Sequence, residues 1–409
     1  MKIGILTYHF CYNFGANLQA LSTLCGLRKF GHEAVIINWL PPGLVKRYQR
    51  EISPRQQEAH ENFFSRCYTV TAPCVDSRDV AKVIRDEKID AVMIGSDAVI
   101  QYSPWLTWLR PERKTIFRGF GFKEDNLLSS PYLTDFRRYL DLPIPVAMFS
   151  VSAQNMPYQH LLRIERSILR KRFCGSVCSV TVRDTWTQRF FQRVCGMNVQ
   201  ISPDPVFGFG GNTEGMIELP DVRKEFGLSD RYVLLTLPGG GGGGGEWAAK
   251  LTALFKSDGF ECVSLPTPGR EHTCPGGDVH AIKLPLSPLE WYTLLKNSAG
   301  YVGFNMHPVV SCIHNAVPFF ALDQYSVNDH LLFGRSFDLQ SSKTFDLLNR
   351  CGFLDNYHNL RFAKLPSPET VLERIKNFPL GRLDIISRLK QDEYTFFMKR
   401  TLEKLAAGA

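Results

Sequence analysis

The chain of 409 residues lacks most of the features that sort proteins quickly. It has no apolar run near the ~18 residues that a membrane-spanning helix requires. It has no basic-then-apolar leader, because it enters a strand-like stretch, Lys2–Leu6, at once. Its 11 cysteines, an odd number, include no C-x-x-C pair, and the nearest approach, Cys174 with Cys178, matches no common zinc knuckle. A Walker A loop, H-E-x-x-H, G-x-S-x-G and a nucleophilic cysteine context are also missing. No nucleic-acid motif is present, and that partner is not expected. These absences point to a reducing, cytoplasmic setting in which most cysteines act as small core hydrophobes.

The composition is that of a globular protein, with 44% hydrophobic and 22% charged residues. The length suits two domains, each able to bury a core. The net charge of +8 fits an anionic substrate, an acidic surface or a general surface excess. The basic residues are scattered, and the cluster Arg163–Arg172 reads as the solvated face of a helix.

Along the chain, apolar strands alternate with helical patterns. Lys2–Leu6 is a strand, Asn17–Gly31 an amphipathic helix with apolar residues at 18, 21, 24 and 27, and Glu33–Trp39 the next strand. Asp90–Asp97, Ile144–Ala153 and Val177–Asp184 repeat the strand pattern, and each ends in small or polar residues. In a doubly wound sheet the carboxyl ends of the strands form one edge, where ligands bind. The Pro- and Gly-rich stretch Ile201–Gly211 reads as a boundary, and a second alternation of strands and helices follows it. The expected organisation is α/β, with a Rossmann-like domain over 1–204, a second over 205–380 and a helical tail over 381–409.

Candidate chemistry gathers at those strand ends. Asn13, Gly15 and Asn17 follow the first strand; Ser96 and Asp97 another; Ser152 another; Arg183 and Asp184 another. Asparagine can bind sugar hydroxyls or simply close a turn, and an aspartate here can orient a hydroxyl or cap a helix. Arginine presents a planar fork to carboxylate or phosphate, or pairs with a neighbouring aspartate. His307 lies where a strand gives way to a helix, beside Asn305, and its proton affinity near neutrality suits acid, base or phosphate-binding work. His314 falls near the same helix face and reads as packing. Seven glycines, Gly239 to Gly245, separate a strand from a helix. Gly239 and Gly240 could let a phosphate approach the backbone. A flexible loop explains the run equally, since a homopolymer matches any glycine pattern.

Taken in chain order, these stretches resemble the polysaccharide pyruvyl transferase family. The opening block is "NFGANLQA" (13–20), followed by "DAVMIGSD" (90–97), "VTVRD" (180–184), "PDPVF" (203–207) and a late block with a central histidine, "FNMHPVVSCIHNAVPFF" (304–320). The resemblance covers about residues 1–325. Two departures stand out. Asn305 replaces the usual Arg or Ser and Pro308 the usual Gly around the histidine, and Ala98-Val99-Ile100 replaces Gln-x-Trp after the G-S-D.

The resemblance implies a GT-B-like fold of two Rossmann-like domains with the site in the interdomain cleft, acceptor side first and donor side second. It implies transfer of pyruvate from phosphoenolpyruvate, as co-substrate, to two hydroxyls of a sugar in a cell-surface polysaccharide precursor, free or lipid-linked. No metal and no further cofactor are expected. His307 would then be the general acid or phosphate ligand, Arg183 would bind donor carboxylate or phosphate, and Asp97 would activate or orient the acceptor hydroxyl. If the acceptor is membrane-bound, the basic tail and the aromatic segment Tyr102–Leu109 are candidates to touch the inner face of the membrane, and core packing or a lid is the alternative for that segment. A nucleotide-sugar glycosyltransferase and a non-catalytic sugar-binding member remain the rival readings.

Overall fold

The computed structural model describes residues 1–105, 127–141, 143–154, 156–175, 177–237, 244–268, 278–324, 327–329 and 336–408. The first half runs β1 (Lys2–Leu6), α1 (Phe14–Lys29), β2 (Glu33–Ile36), α2 (Pro42–Glu51), α3 (Pro54–Cys67), α4 (Ser77–Asp86), β3 (Ala91–Ile94), β4 (Val146–Val151), α5 (Arg163–Cys174), β5 (Ser179–Val182), α6 (Thr185–Phe190) and β6 (Gln200–Ile201). The second runs α7 (Phe209–Thr213), α8 (Val222–Phe226), β7 (Tyr232–Thr236), α9 (Gly244–Ser257), β8 (Glu261–Ser264), β9 (His280–Ala281), α10 (Pro288–Lys296), β10 (Gly300–Gly303), α11 (Met306–His314), β11 (Phe319–Asp323), β12 (Val327–Asp329), β13 (Ser336–Asp338), α12 (Lys343–Cys351), β14 (Tyr357–Asn359), α13 (Pro368–Lys376) and α14 (Leu380–Ala407).

Two six-stranded sheets result, ordered β2-β1-β3-β4-β5-β6 and β14-β11-β10-β7-β8-β9. Every pairing within them is parallel. Their strands are apolar on both faces, as parallel strands covered by helices on each side must be. Strand order reverses between β1 and β3 in the first sheet and between β7 and β10 in the second. Such reversals open a crevice at the carboxyl ends of the strands.

Helix α1 departs from the expected half-buried pattern. Every residue from Phe14 to Leu27 is buried, including Asn17, Gln19, Ser22 and Thr23. The helix is not a surface element of the first sheet but a wedge. Leu18, Leu21 and Leu24 belong to one apolar cluster with Tyr292, Val309 and Leu402 from the second half of the chain. Its polar side chains are satisfied inside that wedge: Ser22 Oγ donates to the Pro205 carbonyl at 2.6 Å and accepts from Asn212 Nδ2 at 3.0 Å.

Pro308 fits without cost. It lies in the first turn of α11, where no backbone N–H is needed. No described helix is long and apolar enough to cross a membrane. The aromatic segment lies only partly within the described residues, from Tyr102 to Trp105.

Candidate active site

The two strand-order reversals face one another across a cavity of about 410 Å³. Tyr8, Tyr12, Asn13 and Gly15 reach it from the turn after β1, and Asp97 and Ala98 from the turn after β3. Thr236 arrives at the end of β7, and Asn305 and His307 after β10. Lys343 joins from the start of α12. The chain thus brings Asn13, Gly15, Asp97, Asn305 and His307 together, as a site at the strand ends would require.

His307 touches the opening turn directly. A Cβ on Gly15 would lie 2.0 Å from His307 Cγ, so only glycine lets the ring sit there. His307 Nε2 is buried and has no hydrogen-bond partner among the described residues. Burial holds the imidazole below its ordinary proton affinity, and the nearby Arg183 and Lys343 charges act the same way, against the pull of Asp97 and Asp204. It is therefore uncharged at neutral pH in the free protein.

Asp97 shows the opposite balance. Burial alone would raise its carboxyl, but the Lys343 and Arg183 charges outweigh that, joined by His307 where acid protonates it, and hold it well below the usual carboxylate range. Lys343 Nζ stands 3.9 Å from Asp97 Oδ1, too long for a hydrogen bond. Burial, with Arg183 close by, lowers its ammonium from the ordinary value. A lysine in the first turn of a helix opposes the helix dipole unless an anion shares the site.

Backbone strain collects at the same place. Asp97, Gln154 and Asn305 line the cavity with φ of 75°, 53° and 82°. Non-glycine residues held there cost of order 1–3 kcal/mol each and cluster at functional sites.

Arg183 does not line the cavity. It is 2% exposed, and its fork is spent on Asp204 Oδ2 at 2.8 Å and Asp97 Oδ1 at 3.2 Å. Gln19 Nε2 completes the bracket, donating to Asp204 Oδ2 at 2.5 Å and to Ser96 Oγ at 3.1 Å. The first-half blocks of the sequence meet in this one buried network, which holds Asp97 in place. Ser152 also lies off the cavity, donating to Asp184 Oδ2 at 2.7 Å, while Asp184 caps α6. Asn17 is fully buried and donates to the His9 carbonyl at 2.7 Å. Asn13 caps α1, accepting from Ala16 N at 3.4 Å, and still lines the cavity. Gly239 and Gly240 lie outside the described residues.

Sequence reasoning missed two parts of the site. One is Lys343, whose signal was a lysine directly after Ser341-Ser342 at a helix start, where acidic residues are preferred. The other is an aromatic wall. Tyr12 packs edge-on to Tyr48 at 5.1 Å, and Phe14 lies 5.7 Å from Trp291 across the two halves of the chain. These four rings line the cavity, and no single spacing announces them. Three helix N-termini, of α1, α11 and α12, also open on it. Helix N-termini and their dipoles favour negative charge. Among the described residues no three His, Cys, Asp or Glu side chains gather as a metal-binding set.

A family model described as polysaccharide pyruvyl transferase matches residues 13–325. No curated protein matches the chain. Among solved structures, UDP-GlcNAc 2-epimerase from Neisseria meningitidis bound to UDP-GlcNAc is similar at a TM-score of 0.52 and 11% identity, over 99% of this chain and 100% of that one. Spinosyn forosaminyltransferase SpnP is similar at a TM-score of 0.50 and 12% identity, over 100% of this chain and 99% of that one. At such identities these two likenesses show the fold alone, which is GT-B-like.

Proposed function

The chain belongs to the polysaccharide pyruvyl transferase family, an enzyme family, and from that premise we propose that it transfers pyruvate from phosphoenolpyruvate to a sugar of a polysaccharide precursor, closing a ketal and releasing phosphate. The observation that carries this reading is the meeting of His307, whose Nε2 has no hydrogen-bond partner among the described residues, and the Lys343 ammonium with three helix N-termini in one cavity. A donor with a carboxylate and a phosphate needs such a cradle.

Lys343 and the first turns of α11 and α12 hold the donor anions. Their arrival replaces lost solvation and raises the proton affinity of His307, because negative charge favours the imidazolium. His307 then gives its proton to the donor methylene. The cationic carbon that results is attacked by one acceptor hydroxyl, whose proton returns to His307. A second hydroxyl closes the ketal as the carbon–oxygen bond to phosphate breaks, and its proton leaves with phosphate. Asp97 stays ionised throughout. It is too weak a base to take a proton readily, so it orients the hydroxyl and steadies the cationic centre. Arg183 acts through Asp97 as a positioning residue.

The aromatic wall suits the acceptor. The C–H faces of a sugar ring stack on aromatic faces, and Asn13 offers an amide to its hydroxyls. Three of the four rings and Asp97 come from the first half of the chain, and His307, Lys343 and two of the three helix ends from the second, which supports an acceptor side over 1–204 and a donor side over 205–380; Arg47 adds a cation from the first half. The setting proposed is cytoplasmic, on a precursor that can be free or lipid-linked. The test is acceptor-dependent phosphate release from phosphoenolpyruvate. Replacing His307 with alanine should lower turnover by at least about 10²-fold while leaving the melting temperature near that of the parent. Near-full turnover in that variant sinks the role.

A further inference from the structure

Helix α14 has two different faces. Leu383, Tyr394, Met398 and Leu405 are buried against the rest of the protein. The opposite face carries Ile385, Leu389 and Phe396, which are 60%, 49% and 53% exposed. Three large apolar side chains on one solvent-facing stripe mark an interaction surface.

The charges around Phe396 identify the partner. Asp392 and Glu393 lie four and three residues before it; Lys399 and Arg400 lie three and four after it. Positions three and four apart adjoin on a helix surface. The turn before Phe396 is therefore acidic and the turn after it basic, in mirror spacing. A strip of this kind is complementary to itself when read backwards.

We infer that this face pairs with a second copy of the chain, the two α14 helices crossing antiparallel at Phe396. The acidic turn of each helix then lies on the basic turn of the other, twice over, and the two Phe396 rings close the centre. This is an isologous, two-fold contact. Neither Asp392 nor Lys399 has an ion-pair partner within its own chain among the described residues. Glu393 is held by Lys390 at 2.7 Å, and Arg400 lies 5.5 Å from the Phe396 ring centre, so both are already ordered. One turn further out, Glu403 comes opposite Arg388 and Leu389. A lipid surface suits this face less, because Asp392 and Glu403 sit on the midline of its apolar stripe. A single helix crossing buries area at the low end for specific interfaces, which makes the dimer reversible.

Sedimentation velocity of the full chain across a concentration series tests this. The expected result is a reversible monomer–dimer equilibrium. Asp392→Lys with Glu393→Lys should leave only monomer, and adding Lys399→Glu with Arg400→Glu in the same chain should restore the dimer. Recovery in that four-residue variant shows that the first pair did not merely unfold the helix. None of the four residues lies at the cavity, so turnover should stay unchanged. A parent chain that remains monomeric throughout overturns the inference, whether or not it binds anionic vesicles. So does a dimer that survives both the charge reversal and Phe396→Glu.

Discussion

At the scale of single residues, the contact between Gly15 and His307 joins the opening turn of the chain to its late histidine. Any side chain at 15 must push the imidazole aside. Gly15→Ala should therefore lower turnover by at least about tenfold with donor KM little changed, as read by steady-state kinetics. His307 also sets a pH signature. Its proton affinity is lowered in the free protein, and donor binding raises it. The acid form is the active one, so activity falls as pH rises through its pKa. The kcat/KM profile reports the free enzyme and the kcat profile the complex. Both should fall toward alkaline pH, with the kcat/KM limb at lower pH; limbs in the reverse order contradict the account. Lys343→Met should raise the KM for phosphoenolpyruvate at least about tenfold, about 1.4 kcal/mol, and Lys343→Arg should recover part of it.

At the scale of elements, the strand ends were legible because buried parallel strands are short apolar runs that stop abruptly. The family resemblance added the late histidine. What could not be read was how those ends share their work. Arg183 looks from its position like a substrate ligand, yet two aspartates far from it in sequence absorb its fork. Helix α1 shows apolar spacing at 18, 21, 24 and 27 but is buried all round, because the chain from Asp204 to Asn212 covers the face that spacing leaves polar, pairing with Gln19 and Ser22. The Arg183 network yields a stability prediction. Arg183→Met leaves Asp97 and Asp204 buried without their cation, a loss of roughly 3–5 kcal/mol, measurable by denaturant unfolding. The sign with pH follows from Asp97, whose carboxyl is held below its ordinary value of 3.8. Its stabilising contribution is fully present above that value and is lost as pH falls below it. The parent should lose stability in that acid range more steeply than Asp97→Asn does.

At the scale of the whole molecule, the cavity exists because two sheets present their strand-order reversals to each other. The geometry is maintained away from the chemistry as well. Gln56 in α3 brackets Leu286 across the halves, its Nε2 donating to the Leu286 carbonyl at 2.7 Å and its Oε1 accepting from the Leu286 N–H at 3.0 Å. The central claim is that this cavity is a phosphoenolpyruvate site and not a nucleotide-sugar site. The most direct measurement needs no knowledge of the acceptor: the melting temperature of the parent chain and of Lys343→Met, titrated with phosphoenolpyruvate, UDP and GDP. A ligand of the native state at a hundred times its Kd adds about 2.7 kcal/mol of stability. The account predicts that phosphoenolpyruvate raises the parent's melting temperature, has little effect on Lys343→Met, and that neither nucleotide stabilises the parent. A rise with UDP or GDP and none with phosphoenolpyruvate would contradict it.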